Sequence, residues 1–403
     1  MSASEIMGNE RALMPNVYAK RPLMLVRGKG ALVWDADDRQ YIDCTSSYGV
    51  SFLGHCHPAI VEAIEKQAER LIACHGSFHN DVRSELVKKI VDVSPKGLDR
   101  VFLSNSGAEA VESALKFARR STGKPEIVAM MGSFHGKTLG ALSATWDKKY
   151  REPFEPLIPG FRHVPYGNSE KVRQVVSEKT AAIIVEPIQG EGGVRLPPTQ
   201  YLGELREICD DRNVCLIFDE VQTGFGRTGK LFALEHWNVI PDILCLGKAV
   251  AGGLPMGITI AKSEVMSTLK VGEHSSTFGG GPVICAASKA AFNLMTGERL
   301  WERAAKLGER FKRGLEQLQS SRKIVREVRG LGLMLGVEFR FDVLKIITEC
   351  MNQGTLVLDA GRNVVRFLPP VVIEPSQIDR AVETLCVAVE GEENARLRGA
   401  PTG

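Results

Sequence analysis

Val214-Cys215-Leu216-Ile217-Phe218-Asp219-Glu220 is an apolar run that ends abruptly in two acids. A strand with one wet face alternates apolar and polar side chains. This run does not alternate, so it reads as a strand covered by helices on both faces. Comparable runs occupy residues 100–105 (RVFLSN), 126–131 (EIVAMM), 181–187 (AAIIVEP), 242–247 (DILCLG) and 257–262 (GITIAK). Between them lie stretches of helical period at 108–120, apolar at Val111, Ala114, Leu115 and Ala118, and at 201–211. The alternation predicts an α/β domain with a mainly parallel sheet, whose ligand lies beyond the carboxyl ends of the strands.

Beyond Met295 the pattern changes to a charged helix (299–318), a Gly-rich turn, strand-like runs at 333–339 and 363–373, and an amphipathic helix from Ser376 to about Val389. We expect an N-terminal segment (1–49) packing with the small domain, a large domain (50–295) and a C-terminal small α/β domain (296–403), with fraying from 393 onward. A chain of 403 residues with 44% hydrophobic and 25% charged residues suits two lobes around a shared core. No apolar stretch approaches the roughly 18 residues of a membrane span. The opening MSASEIMGNERALMPN has no apolar core of a secretory signal, so a cytoplasmic address is expected.

The formal net charge of +3 gives no reason to expect nucleic acid. Nine scattered cysteines, several inside apolar runs (Cys215, Cys245), read as reduced core residues. His55-Cys56-His57 reads as a turn, and no metal site is expected. Residues 11–30 carry Arg11, Lys20, Arg21, Arg27 and Lys29 without an acid. That is either a solvated face or a docking strip for an acidic partner.

Several predicted strands end in polar groups. Ser104-Asn105-Ser106-Gly107-Ala108-Glu109 leads from a strand through a glycine into a helix, which presents backbone N–H groups and a hydroxyl to an anion such as phosphate, or is a plain helix cap. Asp219 ends an apolar strand, where a carboxylate needs a positive partner; a protonated pyridine nitrogen is one such partner, and a turn aspartate is the plainer alternative. Lys248, after Ile243-Leu244-Cys245-Leu246-Gly247, also ends an apolar strand. A desolvated lysine has a lowered pKa, attacks aldehydes, and can move a proton at a substrate carbon.

Taken with Gly132-Ser133-Phe134-His135-Gly136 and His274-Ser275-Ser276-Thr277-Phe278, these segments resemble the class III, ornithine/acetylornithine-type aminotransferases, from about Tyr18 to Pro370. The resemblance implies the type I PLP-dependent transferase fold, pyridoxal 5'-phosphate as cofactor, and a homodimer with the active site at its interface. It implies that Lys248 carries the cofactor and that Asp219 pairs with the pyridine nitrogen. Gln222 lies by the ring's 3-oxygen, Phe134 stacks on the ring, and His135 and Val221 complete the pocket. Ser106, Gly107 and Ala108 hold the phosphate with Thr277 of a second subunit.

By the same resemblance Arg366 binds the α-carboxylate of glutamate or 2-oxoglutarate, and Glu191 pairs with Arg366 when the other substrate is present. A rigid guanidinium fork suits a carboxylate. Tyr18 and Tyr48 match positions near the substrate. Lys137 departs from the family, which has an arginine there to grip a second carboxylate, and Gly281 stands where relatives have asparagine. Val33-Trp34-Asp35, Ser47-Tyr48-Gly49-Val50, Ala144-Thr145-Trp146 and Tyr150-Arg151-Glu152-Pro153-Phe154 look like the enzymes of carrier-protein lysine and arginine biosynthesis. The expected reaction moves the amino group of glutamate to an aminoadipate or glutamate semialdehyde linked to a small acidic amino-group carrier protein. The alternatives are an acetylornithine aminotransferase, a 4-aminobutyrate/putrescine-type enzyme, or a scaffold without activity; the last is disfavoured because Lys248 and Asp219 are both present.

Overall fold

Cys215–Asp219 is buried at every residue and forms the middle strand of a seven-stranded sheet in the computed structural model, which describes residues 1–399. From one edge the order is Arg100–Ser104, Gly257–Ala261, Ile243–Leu246, Cys215–Asp219, Thr180–Val185, Glu126–Met130 and Phe161–Val164. Neighbours pair in parallel except around Gly257–Ala261, which runs antiparallel to both strands beside it. Every strand foreseen between 98 and 262 is present. The edge strand Phe161–Val164 was not foreseen: its mixed Phe-Arg-His-Val composition suits a half-covered edge rather than a buried centre.

The helix Gly107–Thr122 buries the expected face, with Val111, Ala114, Leu115 and Ala118 inside. Its start is capped by the Ser106 side chain and its end by Gly123 at φ +69°, the left-handed geometry that glycine accepts without strain.

The chain ends come together in a second sheet. Leu25–Lys29, Leu32–Asp35 and Gln40–Asp43 form an antiparallel set, and Thr355–Leu356 adds in parallel beside Gln40–Asp43. A third, antiparallel sheet joins Val325–Leu331, Met334–Phe339, Val364–Phe367 and Leu358–Ala360. One hydrophobic cluster runs from Phe52 and Phe218 to Phe339 and Phe367, so residues on both sides of position 295 share a core.

Two expected boundaries move. The 363–373 run is a strand only over Val364–Phe367, because Pro369 and Pro370 have no N–H for a ladder. The last helix continues to Leu397, where the expected fraying is absent: Arg396 pairs with Glu392 at 2.7 Å and stacks on Phe341 at 3.7 Å. The remainder of the segment expected to fray, residues 400–403, lies outside the described residues. Among the described residues, no helix is long and apolar enough to cross a membrane.

Candidate active site

The carboxyl ends of four strands that run in the same direction, three of them adjacent and the fourth beyond Gly257–Ala261, bring Glu186, Asp219, Lys248 and Ser104 to one edge of the sheet. Lys248 follows the fully buried Ile243–Leu246 and has φ +47°, a backbone region costly for a residue with a side chain. Such strain persists where the surroundings over-determine it, and here two glycines do so. A Cβ on Gly247 would stand 3.2 Å from Gly107 Cα, and one on Gly107 would strike Val221 Cγ1 at 2.5 Å. Only glycines let the start of the Gly107–Thr122 helix close onto the lysine-bearing turn. The helix's free N–H groups and positive dipole end therefore lie beside Lys248.

Asp219 is 4% exposed. Its Oδ1 accepts the Val221 N–H at 3.0 Å, and its Oδ2 lies 2.7 Å from His135 Nδ1. His135 is itself buried, with no partner for Nε2. Glu186 accepts the N–H of Phe134 at 2.9 Å and that of Gly190 at 3.0 Å, so one carboxylate ties together the two loops that bear Phe134 and Glu191. Burial pushes its carboxyl up to about 7. Burial also pushes the Lys248 ammonium below its ordinary value; Glu191 opposes the shift and Arg366 adds to it.

Arg366 is fully buried. Its Nη1 donates to Glu191 Oε1 at 2.8 Å and to Gln222 Oε1 at 3.1 Å, and its Nη2 donates to the Asp359 carbonyl at 3.1 Å. Glu191 keeps 27% of its side chain exposed and sits between glycines. Those glycines are forced by close approach: a Cβ on Gly190 would meet Gln222 Oε1 at 2.4 Å, and one on Gly192 the Gly132 carbonyl at 2.4 Å. Tyr48 closes the far side, its ring 5.9 Å from the Arg366 guanidinium. It belongs to a run of three left-handed residues, Ser46, Ser47 and Tyr48, at φ 45°, 52° and 62°.

Other candidates lie farther out. Lys137 is exposed, with Nζ 5.1 Å from the Tyr150 ring centroid, and Tyr150 packs edge-on against Phe134 at 5.5 Å. Thr277 is exposed, while its neighbour Ser276 accepts from Asn105 Nδ2 at 3.2 Å. Tyr18 lines a cavity of about 410 Å³ together with Arg11, Lys20, Arg21 and Tyr48.

Two cations of the basic strip find acids from outside it. The helix Ala3–Leu13 carries Glu10 back to Lys20 at 2.5 Å, and the turn before Gln40–Asp43 brings Asp38 to Arg27 at 2.7 Å. His55 bridges to Gly30, with Cys56 in the turn that follows, and its ring lies 2.7 Å from Asp43 Oδ2. A cavity of about 810 Å³ is lined by Gly132, Gln189, Arg195 and Arg329 and includes neither Lys248 nor Asp219. Convergent polar groups, not volume, locate the site. Sequence reasoning passed over Glu186, although it ends an apolar strand just as Asp219 does, and over the closure of Gly247 on Gly107, which no local pattern reveals.

These residues fit pyridoxal phosphate. A lysine of lowered pKa, a buried carboxylate with acceptor capacity left for a pyridinium, and a glycine-built cradle at a helix N-terminus stand together. The Gln222 carbonyl is occupied by Arg366, which leaves its amide N–H₂ to donate to a ring oxygen.

Known proteins agree with this chemistry. Residues 13–389 match the family Aminotransferase class-III. An acetylornithine aminotransferase of Methanopyrus kandleri is 47% identical over 376 residues, covering 93% of this chain and 96% of the relative. A LysW-aminoadipate semialdehyde transaminase of Deinococcus radiodurans is 46% identical over 382 residues, covering 94% of this chain and 89% of the relative. An ornithine aminotransferase structure from Toxoplasma gondii, described with partial occupancy of PLP at its active site, superposes with a TM-score of 0.94 at 34% identity, covering 98% and 96% of the two chains. The fold, the lysine–aspartate–glycine site and these matches together make the chain a member of the class III aminotransferases, enzymes that work with pyridoxal phosphate.

Proposed function

We propose that this aminotransferase moves the amino group of glutamate to the aldehyde of an aminoadipate or glutamate semialdehyde whose α-amino group is linked to a small acidic carrier protein. The products are carrier-bound lysine or ornithine and 2-oxoglutarate. The observation that carries the reading is the Arg366–Glu191 pair at 2.8 Å. An α-amino dicarboxylate needs a cationic fork; a terminal amine needs that fork masked. Arg366 is held by two acceptors besides Glu191, whereas Glu191 keeps 27% of its side chain exposed on a glycine-flanked turn, so Glu191 is the member that moves. When glutamate enters, Glu191 swings out and its α-carboxylate takes the guanidinium; when the terminal amine enters, Glu191 stays.

Bound pyridoxal phosphate supplies the aldehyde that accepts and returns the amino group, and a ring that withdraws electrons from the reacting carbon. The chain does the rest. Lys248, its ammonium destabilised by burial, would hold the cofactor through its amine and, once the substrate amine displaces it, would be free to move the proton at the substrate carbon bearing nitrogen. Asp219, oriented by His135 and the Val221 N–H, would hold a positive charge on the ring nitrogen. Ser106, Gly107 and Ala108 would hold the phosphate at the helix start, completed by Thr277 of a second subunit, and Phe134 and Val221 would line the ring pocket. The homodimer and these residue roles are part of the proposal.

The cavity formed by Arg11, Tyr18, Lys20, Arg21 and Tyr48 supports a substrate that extends outward past a basic wall. The ion pairs of Lys20 and Arg27 favour the second reading, N-acetylornithine as a free small molecule, as does the Methanopyrus kandleri relative. One comparison separates them: kcat/KM with 2-oxoglutarate for N-acetylornithine against ornithine or lysine attached through its α-amino group to the acidic carrier. Preference for the carrier-bound amine that weakens with salt supports the first. Equal or better use of N-acetylornithine overturns it in favour of the second.

A further inference from the structure

The amine half of the proposed reaction leaves a question that Arg366 cannot answer. With Arg366 masked by Glu191, the free α-carboxylate of an α-N-blocked substrate must be recognised elsewhere. Tyr150 stands on the wall next to Phe134, its ring 5.5 Å from that of Phe134. Two ammonium groups lie over this one ring, Lys137 Nζ at 5.1 Å and Lys149 Nζ at 4.7 Å from the centroid. Like charges gathered at one aromatic surface repel unless an anion joins them, and only Lys149 has a carboxylate partner here, Asp147 Oδ2 at 3.2 Å. Asp147 also accepts the Lys149 N–H at 3.0 Å, so the short helix Lys148–Arg151 presents Lys149 from a fixed base.

Burial raises the Glu191 carboxyl, but Arg366, Lys248 and Lys149 together outweigh it and hold Glu191 below its ordinary range. Lys149 is thus electrically coupled to the same carboxylate that Lys248 and Arg366 feel, although Asp147 draws its ammonium outward.

We infer that Lys149 is a specificity-determining residue, which joins Lys137 around Tyr150 to bind the α-carboxylate of the amine substrate and so compensates for the single arginine fork that Lys137 lacks. The inference rests on the proposed function, and it applies to free and carrier-linked substrates alike, since both keep that carboxylate.

The test uses the holoenzyme and two matched donors, N-acetylornithine and N-acetylputrescine, which differ only in the carboxylate. Single-turnover kcat/KM is measured for each in wild type, Lys149→Gln and Lys149→Arg. The ratio of the first donor to the second should fall about three- to tenfold in Lys149→Gln, the worth of one charge-assisted hydrogen bond near solvent, and recover in Lys149→Arg. A structural disturbance would lower both donors together and leave the ratio unmoved. A wild type that favours N-acetylornithine, with the same ratio in Lys149→Gln, overturns the role of Lys149 alone. A wild type with no preference between the donors overturns the substrate reading and this inference with it.

Discussion

Arg366→Leu separates the two half-reactions. Leucine keeps the site apolar where Arg366 lies among Val364, Val365, Phe367 and Leu368, and it removes the fork. A carboxylate held bidentately gains two charge-assisted hydrogen bonds of about 1.5–3 kcal/mol each, about 3–6 kcal/mol in all. Glutamate does not collect the whole sum, because Glu191 already occupies the guanidinium at 2.8 Å and must be displaced. Taking the lower end, about 3 kcal/mol, kcat/KM for glutamate falls on the order of a hundredfold.

The terminal-amine half-reaction makes no use of the fork and falls by less than about tenfold, a loss assigned to the uncompensated charge of Glu191. That charge has its own signature. Burial first, and Arg366 in addition, depress the Lys248 ammonium, while Glu191 raises it. Removing the cation and leaving the anion lets Lys248 hold its proton to higher pH, so the alkaline rise of the amine half-reaction moves upward in pH. The assay is stopped-flow absorbance of the cofactor, one half-reaction at a time, across pH 6–10 (about four decades of proton activity). Equal losses in both half-reactions would refute the assignment of Arg366 as the glutamate fork, and an unmoved pH profile would refute the coupling to Lys248.

Other perturbations test neighbouring parts of the site. Lys248→Ala abolishes turnover while the far-ultraviolet circular dichroism and the melting transition remain those of a folded protein; near-normal turnover would remove the lysine from the mechanism. Gly107→Ala forces a Cβ against Val221 Cγ1 at 2.5 Å and lifts the helix start, so cofactor affinity measured by dialysis or fluorescence should weaken by about tenfold or more, in line with an overpacking cost of about 1–3 kcal/mol. Glu220→Gln tests a buried acid: Glu220 caps the N–H groups of Ala233 and Leu234 at 2.6 and 2.7 Å, and burial raises its carboxyl to about 8. A carboxyl raised in the folded state favours folding most below its unfolded value and loses that contribution as pH climbs toward 8, by up to about 5 kcal/mol. Glutamine gives up one acceptor, about 1 kcal/mol, and does not ionise. Denaturant melts should therefore show the variant gaining on wild type between pH 5 and pH 8.5 by about 2 kcal/mol or more, and a pH-independent difference would refute the burial argument.

How much of this site could be read in advance depended on whether its signal was local. Asp219 and Lys248 each close an apolar strand, and a charge at such a place is visible in a window of six residues. Family resemblance gave Arg366 and Glu191 as a pair, and they meet at 2.8 Å across 175 positions of sequence. What escaped was made by tertiary closure. Gly107 and Gly247 look like ordinary turn glycines until the helix start is laid against the strand end, where each excludes a Cβ for the sake of the other. The parallel pairing of Thr355–Leu356 with Gln40–Asp43 has no sequence mark, because two residues carry no period. The surroundings of the acid-free strip are tertiary in the same way. Counting charges along residues 11–30 treated the segment as isolated, whereas Glu10 immediately precedes it and Asp38 arrives through a hairpin. Lys149 belongs to this second class: as a letter beside Lys148 it is one more surface lysine, and only the shared ring of Tyr150 sets it against Lys137. Residues at the ends of apolar strands announce themselves locally, and contacts such as that of Lys149 with Tyr150 become legible only when the loops around them are folded onto one surface.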